Sequence, residues 1–234
     1  MDPLDEIKRL LPACSAVAKR ELLQLLRQEN PIHGLEADWN VTAEVVLEAI
    51  ARAPELTQRM FRGILAEAAC KVEIIDKLRD WQNVTPVGNF AYDFKIQCAD
   101  RTATIQTKLQ RKQGGVPLRA NKAAGLKNPG QFVVETQKSR QGKDKLTGEN
   151  TRPYRFGEFD ILAVSMEPLT NNWAVFRFTV SRCLIPRPEN KQLIAIYQPV
   201  SLQPNDDWTD DLATAIDWHF SGIQKTVAND APGE

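Results

Sequence analysis

The feature that most constrains this chain is a pair of adjacent alternating segments that predicts a β-hairpin. Apolar and polar residues alternate along the first arm, with Tyr92, Phe94, Ile96 and Cys98 against Asp93, Lys95 and Gln97. The second arm sets Ile105 and Leu109 against Thr104, Gln106 and Lys108. A period of two is typical of half-buried strands.

Folding the two arms about residues 100 and 101 predicts which side chains become neighbours. Asp93 is then opposite Lys108, and Lys95 is opposite Gln106. Cross-strand neighbours on one face of a sheet lie about 5 Å apart. The hairpin therefore predicts a carboxylate, a carboxamide and an ammonium group on one face, close enough to share a metal ion and a phosphate.

Composition and residue spacing exclude several common classes of protein. The four cysteines are scattered without a Cys-x-x-Cys pair, which fits a reducing cytoplasm and argues against a zinc site or a disulfide scaffold. His33 and His219 lie far apart, so histidine-based nucleases and Ser–His hydrolases find little support. No apolar run approaches the roughly 18 residues of a membrane span, and the acidic N-terminus lacks a signal-peptide pattern. We therefore expect a cytoplasmic protein with no membrane partner.

The net charge of zero hides a strongly basic segment. Between residues 105 and 155 there are twelve basic and three acidic residues, so this segment carries +9 and the rest of the chain −9. The basic segment begins within the second arm and so adjoins the predicted hairpin. This position indicates a polyanionic partner such as DNA or RNA. The alternative is a solvated loop rich in lysine.

Periodicity predicts a mixed α/β protein with helices at both ends and strands between them. We expect a helical N-terminal region over 1–53, a core domain over 54–225 and a disordered tail over 226–234. Helices are predicted over 3–29, 42–53, 54–81, 118–127 and 210–220. Strands are predicted over 84–87, 90–98, 103–111, 132–136, 159–166, 173–180 and 193–197. A polar loop is predicted over 139–153.

One motif resembles the signature of a known enzyme family. Asp93, twelve intervening residues and then Gln106-Thr107-Lys108 resemble the motif of the PD-(D/E)XK nuclease superfamily, in particular of its type II restriction endonucleases. Gln106 replaces the usual acid of the second position, as in some members of the family, including certain four-base cutters. The replacement weakens metal affinity without ruling out activity. The resemblance covers about residues 56–200, and it implies a restriction-endonuclease-like αβββαβ core behind the helical N-terminal region.

The resemblance also implies a role for each side chain in a Mg²⁺-dependent hydrolysis. Asp93 is the anionic metal ligand and the Gln106 carbonyl oxygen a neutral one, since Mg²⁺ prefers hard oxygen ligands. Lys108 positions or deprotonates the attacking water, or stabilises the charge that develops at phosphorus. The ordinary lysine pKa of about 10.4 favours positioning and electrostatics. The alternative is an ordinary surface hairpin with an Asp–Lys pair.

Three further acids are candidates for the same region. Glu67 lies on or beside the apolar face of the helix before the hairpin, where the family often carries a catalytic glutamate. An unpaired carboxylate there is costly, so we predict that it faces the site, the alternative being a salt bridge at a helix edge. Asp160, at the start of a strand, is predicted to cap or orient a neighbour, or else to be an acid behind the site. Glu135 and Lys138 are a competing pair, but their spacing of three places them on opposite faces of a strand.

We expect the basic segment to contact duplex DNA through side chains that suit phosphates or base edges: Arg111, Lys112, Arg119, Asn121, Lys122, Lys138, Arg140, Lys143, Arg152, Tyr154 and Arg155. The leading hypothesis is a Mg²⁺-dependent, sequence-specific endonuclease of the restriction type in a prokaryotic cytoplasm. It would act as a homodimer, or as a monomer that cuts each strand in turn. A cognate DNA methyltransferase is implied genetically. The alternatives are a structure-specific or nicking repair nuclease of the same fold, and a non-catalytic nucleic-acid-binding module.

Overall fold

The computed structural model describes residues 2–30, 33–138 and 152–229. Contacts divide the chain into two compact units, residues 1–59 and 60–234. Most of the predicted loop over 139–153, including Arg140 and Lys143, and the last five residues of the predicted tail lie outside the described residues. No helix within the described ranges is long and apolar enough to cross a membrane.

The first unit is helical, and local side-chain contacts set its helix starts. Its elements are α1 (Pro3–Leu10), a 3₁₀ turn (Leu11–Ala13), α2 (Ala16–Glu29), α3 (Leu35–Asp38) and α4 (Ala43–Arg52). Asp2 and Ser15 each accept a hydrogen bond from a backbone N–H of the turn that follows, which satisfies a donor at a helix start. Glu36 pairs with Arg27 at 2.7 Å and accepts the Ala43 N–H that opens α4. Neither α1 nor α4 has a buried residue.

The second unit contains all the strands of the described chain. α5 (Glu55–Ala69) spans the division between the units and continues as a π-helical turn (Cys70–Ile74) and a 3₁₀ turn (Ile75–Lys77). The strands are β1 (Gln82–Asn83), β2 (Phe94–Cys98), β3 (Arg101–Leu109), β4 (Lys112–Gln113), β5 (Val116–Pro117), β6 (Phe132–Glu135), β7 (Ile161–Ser165), β8 (Phe176–Val180) and β9 (Tyr197–Val200). The remaining helices are α6 (Glu167–Thr170) and α7 (Leu212–Ser221), with 3₁₀ turns at Ala120–Lys122 and Ser181–Cys183.

Five strands form the central sheet, in the order β1, β2, β3, β7 and β8. β2 and β3 are antiparallel, β3 and β7 are parallel, and β7 and β8 are antiparallel. Two smaller sheets pair β4 with β5 and β6 with β9. The sequence prediction of a mixed α/β protein is therefore confirmed at this level.

The central sheet is packed on both faces. On one face Ile105 and Phe178 pack with Ile216 of α7. On the other face Val164 belongs to a second core cluster that includes Trp208. All five residues of β7 are buried, as expected for a near-continuous apolar strand covered on both sides. β3 lies beside β7 in this sheet and is therefore held in a well-packed environment.

The helix predicted over 54–81 is shorter, and only part of its predicted apolar face is buried. A π-helical turn follows α5 and shifts the phase of later residues relative to α-helical spacing. Of the predicted apolar-face positions, Ile75 is buried, whereas Met60, Ile64 and Val72 are each more than half exposed. Ala66 and Cys70 are fully buried instead. Small side chains permit a close approach of the helix, so size as well as hydrophobicity selects the buried face.

The predicted hairpin forms, but its register differs from the prediction by two residues. Lys95 pairs with Thr104 and not with Gln106, and the arms are joined by a two-residue turn. Ala99 in this turn has a left-handed φ of 52°, which lets the chain reverse tightly. A slip of two residues keeps every side chain on its predicted face, because strand side chains alternate with a period of two.

Three other predicted elements are shorter or displaced. The helix expected over 118–127 is only the 3₁₀ turn Ala120–Lys122, and Gly125, at a φ of 81°, is unsuited to a longer helix. The strand expected over 84–87 is replaced by β1, and the one expected over 193–197 begins at Tyr197, where it pairs with β6. Between β3 and β7 the described residues thus lack the helix that an αβββαβ order requires.

Candidate active site

Gln106 and Lys108, the two motif residues of β3, lie on the same face of the central sheet. Their partners on β7 are Leu162 and Val164, which belong to the core cluster that includes Trp208. Both side chains therefore project from a buried strand, and the packed sheet fixes their relative positions.

Asp93 reaches the same place from the residue before β2. Its backbone N–H donates to the Ile105 carbonyl at 2.9 Å, which extends the hairpin ladder by one residue. Its carboxylate Oδ2 accepts hydrogen bonds from the Thr107 N–H at 2.7 Å and from the Gln106 amide at 2.5 Å. The predicted position opposite Lys108 is thus wrong by two residues, and the direct neighbour of Asp93 is Gln106.

The amide of Gln106 is oriented by its two hydrogen bonds. Its Nε2 donates to Asp93 and to the Thr107 carbonyl at 3.1 Å. Within the described chain its carbonyl oxygen accepts no hydrogen bond, which leaves that atom able to bind a cation. Burial raises the pKa of Asp93, while the Thr107 N–H, the charge of Lys108 and the Gln106 amide act to lower it.

Glu67 projects from α5 and is half-buried. Arg62 of the same helix pairs with the buried Glu167 of α6 at 2.5 Å, which anchors α5 close to the end of β7. Burial, reinforced by the charge of Asp93 and opposed by that of Lys108, raises the pKa of Glu67 to about 7. Among the residues that the structure describes, Glu67 has no salt bridge, so the helix-edge alternative finds no partner there.

Lys108 is the cation of this cluster. Burial lowers its pKa, and the charges of Asp93, Glu67 and Glu135 oppose that change. No carboxylate in the described ranges lies within salt-bridge distance of its ammonium group. The Nζ atom lies 5.3 Å from the ring centre of Tyr154 instead. Because no single acid holds the ammonium group, it is available to an anion that enters the site.

The oxygen donors of the cluster fit a hard divalent cation. Asp93 and Glu67 supply carboxylates and Gln106 a carbonyl oxygen, which are ligand types that Mg²⁺ prefers. The charge of Asp93 helps to raise the pKa of Glu67, so a bound cation would relieve a repulsion that is already present. Within the described residues there is no group of three His, Cys, Asp or Glu side chains that could hold a metal ion. In this cluster the third oxygen donor is the amide of Gln106.

Sequence reasoning missed two further residues, one that continues the polar row of β3 and one that pairs with Lys138. Gln110 follows Gln106 and Lys108 in the same period-two row, is 1% exposed, and has no hydrogen-bond partner for either amide atom in the described chain. The same alternation that places Gln106 and Lys108 on one face also predicts Gln110 on that face. Glu158 pairs with Lys138 at 2.6 Å. No local pattern indicates that pair, because twenty residues separate its members.

The predicted DNA-binding residues differ widely in exposure. Five are exposed: Lys112, Arg119, Asn121, Lys122 and Arg155. Three are half-buried: Arg111, Lys138 and Arg152. Arg111 and Arg152 both pair with Glu135, Arg152 at 3.8 Å. Tyr154 is 3% exposed and packs edge-on against Phe159, so its ring lies beneath the surface on which DNA contact was predicted.

Asp160 has the structural role that the sequence predicted. Its Oδ2 accepts hydrogen bonds from the Thr104 N–H at 2.8 Å and from the Thr104 hydroxyl at 2.7 Å. The Asp160 N–H donates in turn to the Thr104 carbonyl at 3.0 Å. These contacts tie the chain that leads into β7 to β3 and so help to fix the strand that carries the motif.

Comparisons with known proteins do not assign a family. No family model matches the chain, and no curated protein matches it. Among solved structures, the chain is similar to a bacterial homing endonuclease, I-Ssp6803I, with 17% sequence identity and a TM-score of 0.33. The match covers 52% of this chain and 68% of that one. A function for this protein must therefore be inferred from the site itself.

Proposed function

We propose that this protein is a metal-dependent endonuclease that hydrolyses phosphodiester bonds in double-stranded DNA. The observation that supports this most directly is the convergence of a desolvated lysine, two carboxyl groups with raised pKa values and a buried carboxamide at one end of the β2–β3 hairpin. Perturbed titratable groups of opposite sign in one place favour a catalytic role over a structural one. An ordinary surface hairpin would leave these groups in water.

Mg²⁺ is the cofactor that the donors favour. Asp93 and the Gln106 carbonyl oxygen would hold it, with Glu67 as a further oxygen donor. When bound, the ion would supply positive charge that offsets the negative charge of the phosphoryl oxygens. The substitution of Gln106 for an acid lowers the charge of the ligand set, so we expect weaker metal affinity than a site with three carboxylates would have.

Lys108 has two tasks in this proposal. Its ammonium group attracts a phosphate oxygen, and it stabilises the negative charge that grows in the transition state. Both effects are stronger in a partly desolvated site than in water, because the effective dielectric constant is lower there. The half-buried carboxylate of Glu67 orients the attacking water by accepting a hydrogen bond from it.

The exposed basic side chains of the unit that carries the motif support DNA as the substrate. Lys112, Arg119, Lys122 and Arg155 are exposed on the same unit, where they suit contacts with phosphates. We further propose a restriction-type PD-(D/E)XK core and sequence-specific cutting of both strands by a homodimer. The residue types and spacing of the motif support the core, and the experiment below tests the specificity.

The test is incubation of purified protein with bacteriophage genomic DNA, in Mg²⁺ and in EDTA, alongside Lys108→Met and Lys95→Met. Lys95 is the matched control, because it lies on the same face of the same hairpin and is paired with Thr104 rather than with a residue of the motif. We expect discrete fragments that require Mg²⁺ and Lys108 but not Lys95. A metal-dependent smear or nicked circles would favour a structure-specific nuclease. Salt-sensitive binding without cutting in any divalent metal would overturn the enzymatic proposal and leave a binding module.

A further inference from the structure

Lys108 shares its aromatic neighbour with a second lysine. The Nζ atoms of Lys108 and Lys138 lie 5.3 Å and 5.2 Å from the ring centre of Tyr154, so they are no more than about 10.5 Å apart. Tyr154 is 3% exposed and is packed against Phe159, which keeps its ring in place. Burial and nearby carboxylates raise the pKa of Tyr154, so the phenol stays neutral and its ring attracts the two ammonium groups by cation–π contact.

The two lysines differ in how their charge is balanced. Lys108 has no salt bridge within the described residues, whereas Lys138 pairs with Glu158 at 2.6 Å. The Lys138 and Glu158 side chains are both about one quarter exposed, so solvent and solutes reach this pair. The Lys138 charge is therefore masked by one accessible carboxylate.

Glu158 does not depend on Lys138 for its position. Its Oε2 accepts a hydrogen bond from the Arg155 N–H at 2.9 Å, and its own N–H donates to the Arg155 carbonyl at 3.3 Å. The backbone of Lys138 is fixed separately, since its N–H donates to the Arg152 carbonyl at 2.9 Å. The ammonium group can therefore leave the carboxylate by rotation of the lysine side chain alone, while both backbones keep their contacts.

We propose that Lys138 is a second phosphate ligand of the active site, and that a DNA phosphate displaces Glu158 from it. This inference rests on the proposed function and names how the same site holds its substrate. A lysine ammonium group acts as a point charge that suits a phosphate oxygen from many directions. The common ring of Tyr154 keeps both ammonium groups near one phosphate and its neighbour along the strand. Glu158 acts as an internal competitor that weakens the binding of anions which make no other contact.

A binding cycle tests this without any cleavage. Affinity for a labelled 30-base-pair duplex is measured by fluorescence anisotropy in EDTA over a series of salt concentrations, for the full chain and three variants. We expect Lys138→Met to weaken binding about tenfold and to lower the salt slope by about one. Glu158→Gln, which keeps the shape of the side chain, should tighten binding by about threefold or more. In the double variant this gain should disappear, because Lys138 is the group that Glu158 masks.

The control for a general charge effect is Glu189→Gln. Glu189 is exposed and pairs with Arg187, outside this cluster, so its substitution should change affinity less than about twofold. An unchanged affinity in Glu158→Gln, or a gain that persists in the double variant, would overturn the inference even if Lys138→Met folds poorly. If the four affinities change as expected and the protein never cuts DNA, the proposed function is wrong, but the assignment of Lys138 as a phosphate ligand remains. If cutting depends on Lys108 but the expected pattern of affinities is not seen, only this inference is wrong. Absence of DNA binding would overturn both proposals.

Discussion

The two units of the chain place charged and apolar side chains in opposite ways. In the second unit Lys108, Asp93 and Glu67 are withdrawn from water, and burial shifts the pKa of each. In the first unit Leu47 is 66% exposed and Trp39 is 64% exposed. The second unit thus partly buries this cluster of charged groups against its packed sheet, whereas the first unit leaves these two large apolar side chains exposed on its helices.

This difference separates two kinds of order. The central sheet gains stability from side chains such as Ile105 and Phe178, which are fully buried, and it can therefore tolerate a cluster of desolvated charges. The helices of the first unit rest on local contacts such as the Arg27–Glu36 pair and the Ser15 cap. Amphipathic periodicity predicts a helix in both units, but it predicts a buried face only where another element packs on it.

The largest effect is expected for Asp93→Asn, which removes the anionic metal ligand of the proposed site. The asparagine oxygen can still accept the Thr107 N–H, so the fold should remain. Loss of several kcal/mol of transition-state stabilisation corresponds to a decrease of about 10³-fold in Mg²⁺-dependent cleavage rate. The measurement is single-turnover cleavage of a plasmid, with Asp76→Asn as a control, because Asp76 is exposed and pairs with Lys71 at the surface. A decrease below tenfold would remove Asp93 from the proposed mechanism.

A pair of apolar truncations tests the comparison between the units directly. Ile105→Ala should lower the free energy of unfolding by about 2–5 kcal/mol, because Ile105 is fully buried in the sheet core. Leu47→Ala in α4 should cost less than about 0.5 kcal/mol, because its side chain is largely exposed. Both values come from urea unfolding at low protein concentration. A cost above about 2 kcal/mol for Leu47→Ala would show that the leucines of the first unit are covered in solution.

The sequence predicted which side chains share a face of the sheet better than it predicted the contacts between them. A period of two placed Asp93, Gln106 and Lys108 on one face, and a register error of two residues left that result intact, because only odd slips change the face. The register itself was not predictable, since a turn with Ala99 at positive φ carries no glycine or asparagine signal. Fold class followed from the alternation over β2 and β3 and from the near-continuous apolar run of β7.

Contacts between residues distant in sequence account for the rest. The small side chains of Ala66 and Cys70 form the buried face here, which periodicity of hydrophobic residues does not indicate, and the π-helical turn then shifts the phase of the residues that follow α5. The Lys138–Glu158 pair on Tyr154 brings together residues from two separate segments. Such contacts depend on tertiary packing, which a local sequence pattern does not indicate.

Two buried glutamines of the second unit should respond oppositely to substitution. Gln110→Met removes an amide that has no hydrogen-bond partner in the described chain, and should raise the free energy of unfolding by about 1 kcal/mol. Gln198→Met removes an amide that makes three hydrogen bonds to Ile185 and Ala195, and should lower it by about 1–3 kcal/mol. Thermal unfolding in EDTA measures both. Equal losses in the two variants would mean that the Gln110 amide is satisfied in solution.

The smallest effect is expected for Glu67→Gln, and its sign depends on pH. The folded-state pKa of Glu67 is about 7, above the ordinary value of 4.5, so the folded protein binds this proton more tightly than the unfolded chain does. The stability contributed by this proton is complete below about pH 4.5 and is lost as pH rises through 7. The glutamine variant carries no charge at any pH and escapes that loss. In EDTA it should therefore match the wild type near pH 4.5 and exceed it at pH 8.

Solvent reaches the half-buried carboxyl and screens it, so we expect the gain at pH 8 to be about 1 kcal/mol, or about 2–4 °C in Tm. Exposed Glu189→Gln is the control and should show no such pH dependence. Mg²⁺ should stabilise the wild type more than the variant at pH 8, because the cation neutralises the charge that makes the wild type less stable. A stability difference between the variant and the wild type that is constant from pH 4.5 to 8 would mean that Glu67 is solvated. The second unit would then differ from the first in two desolvated charged groups, Lys108 and Asp93, and not in three.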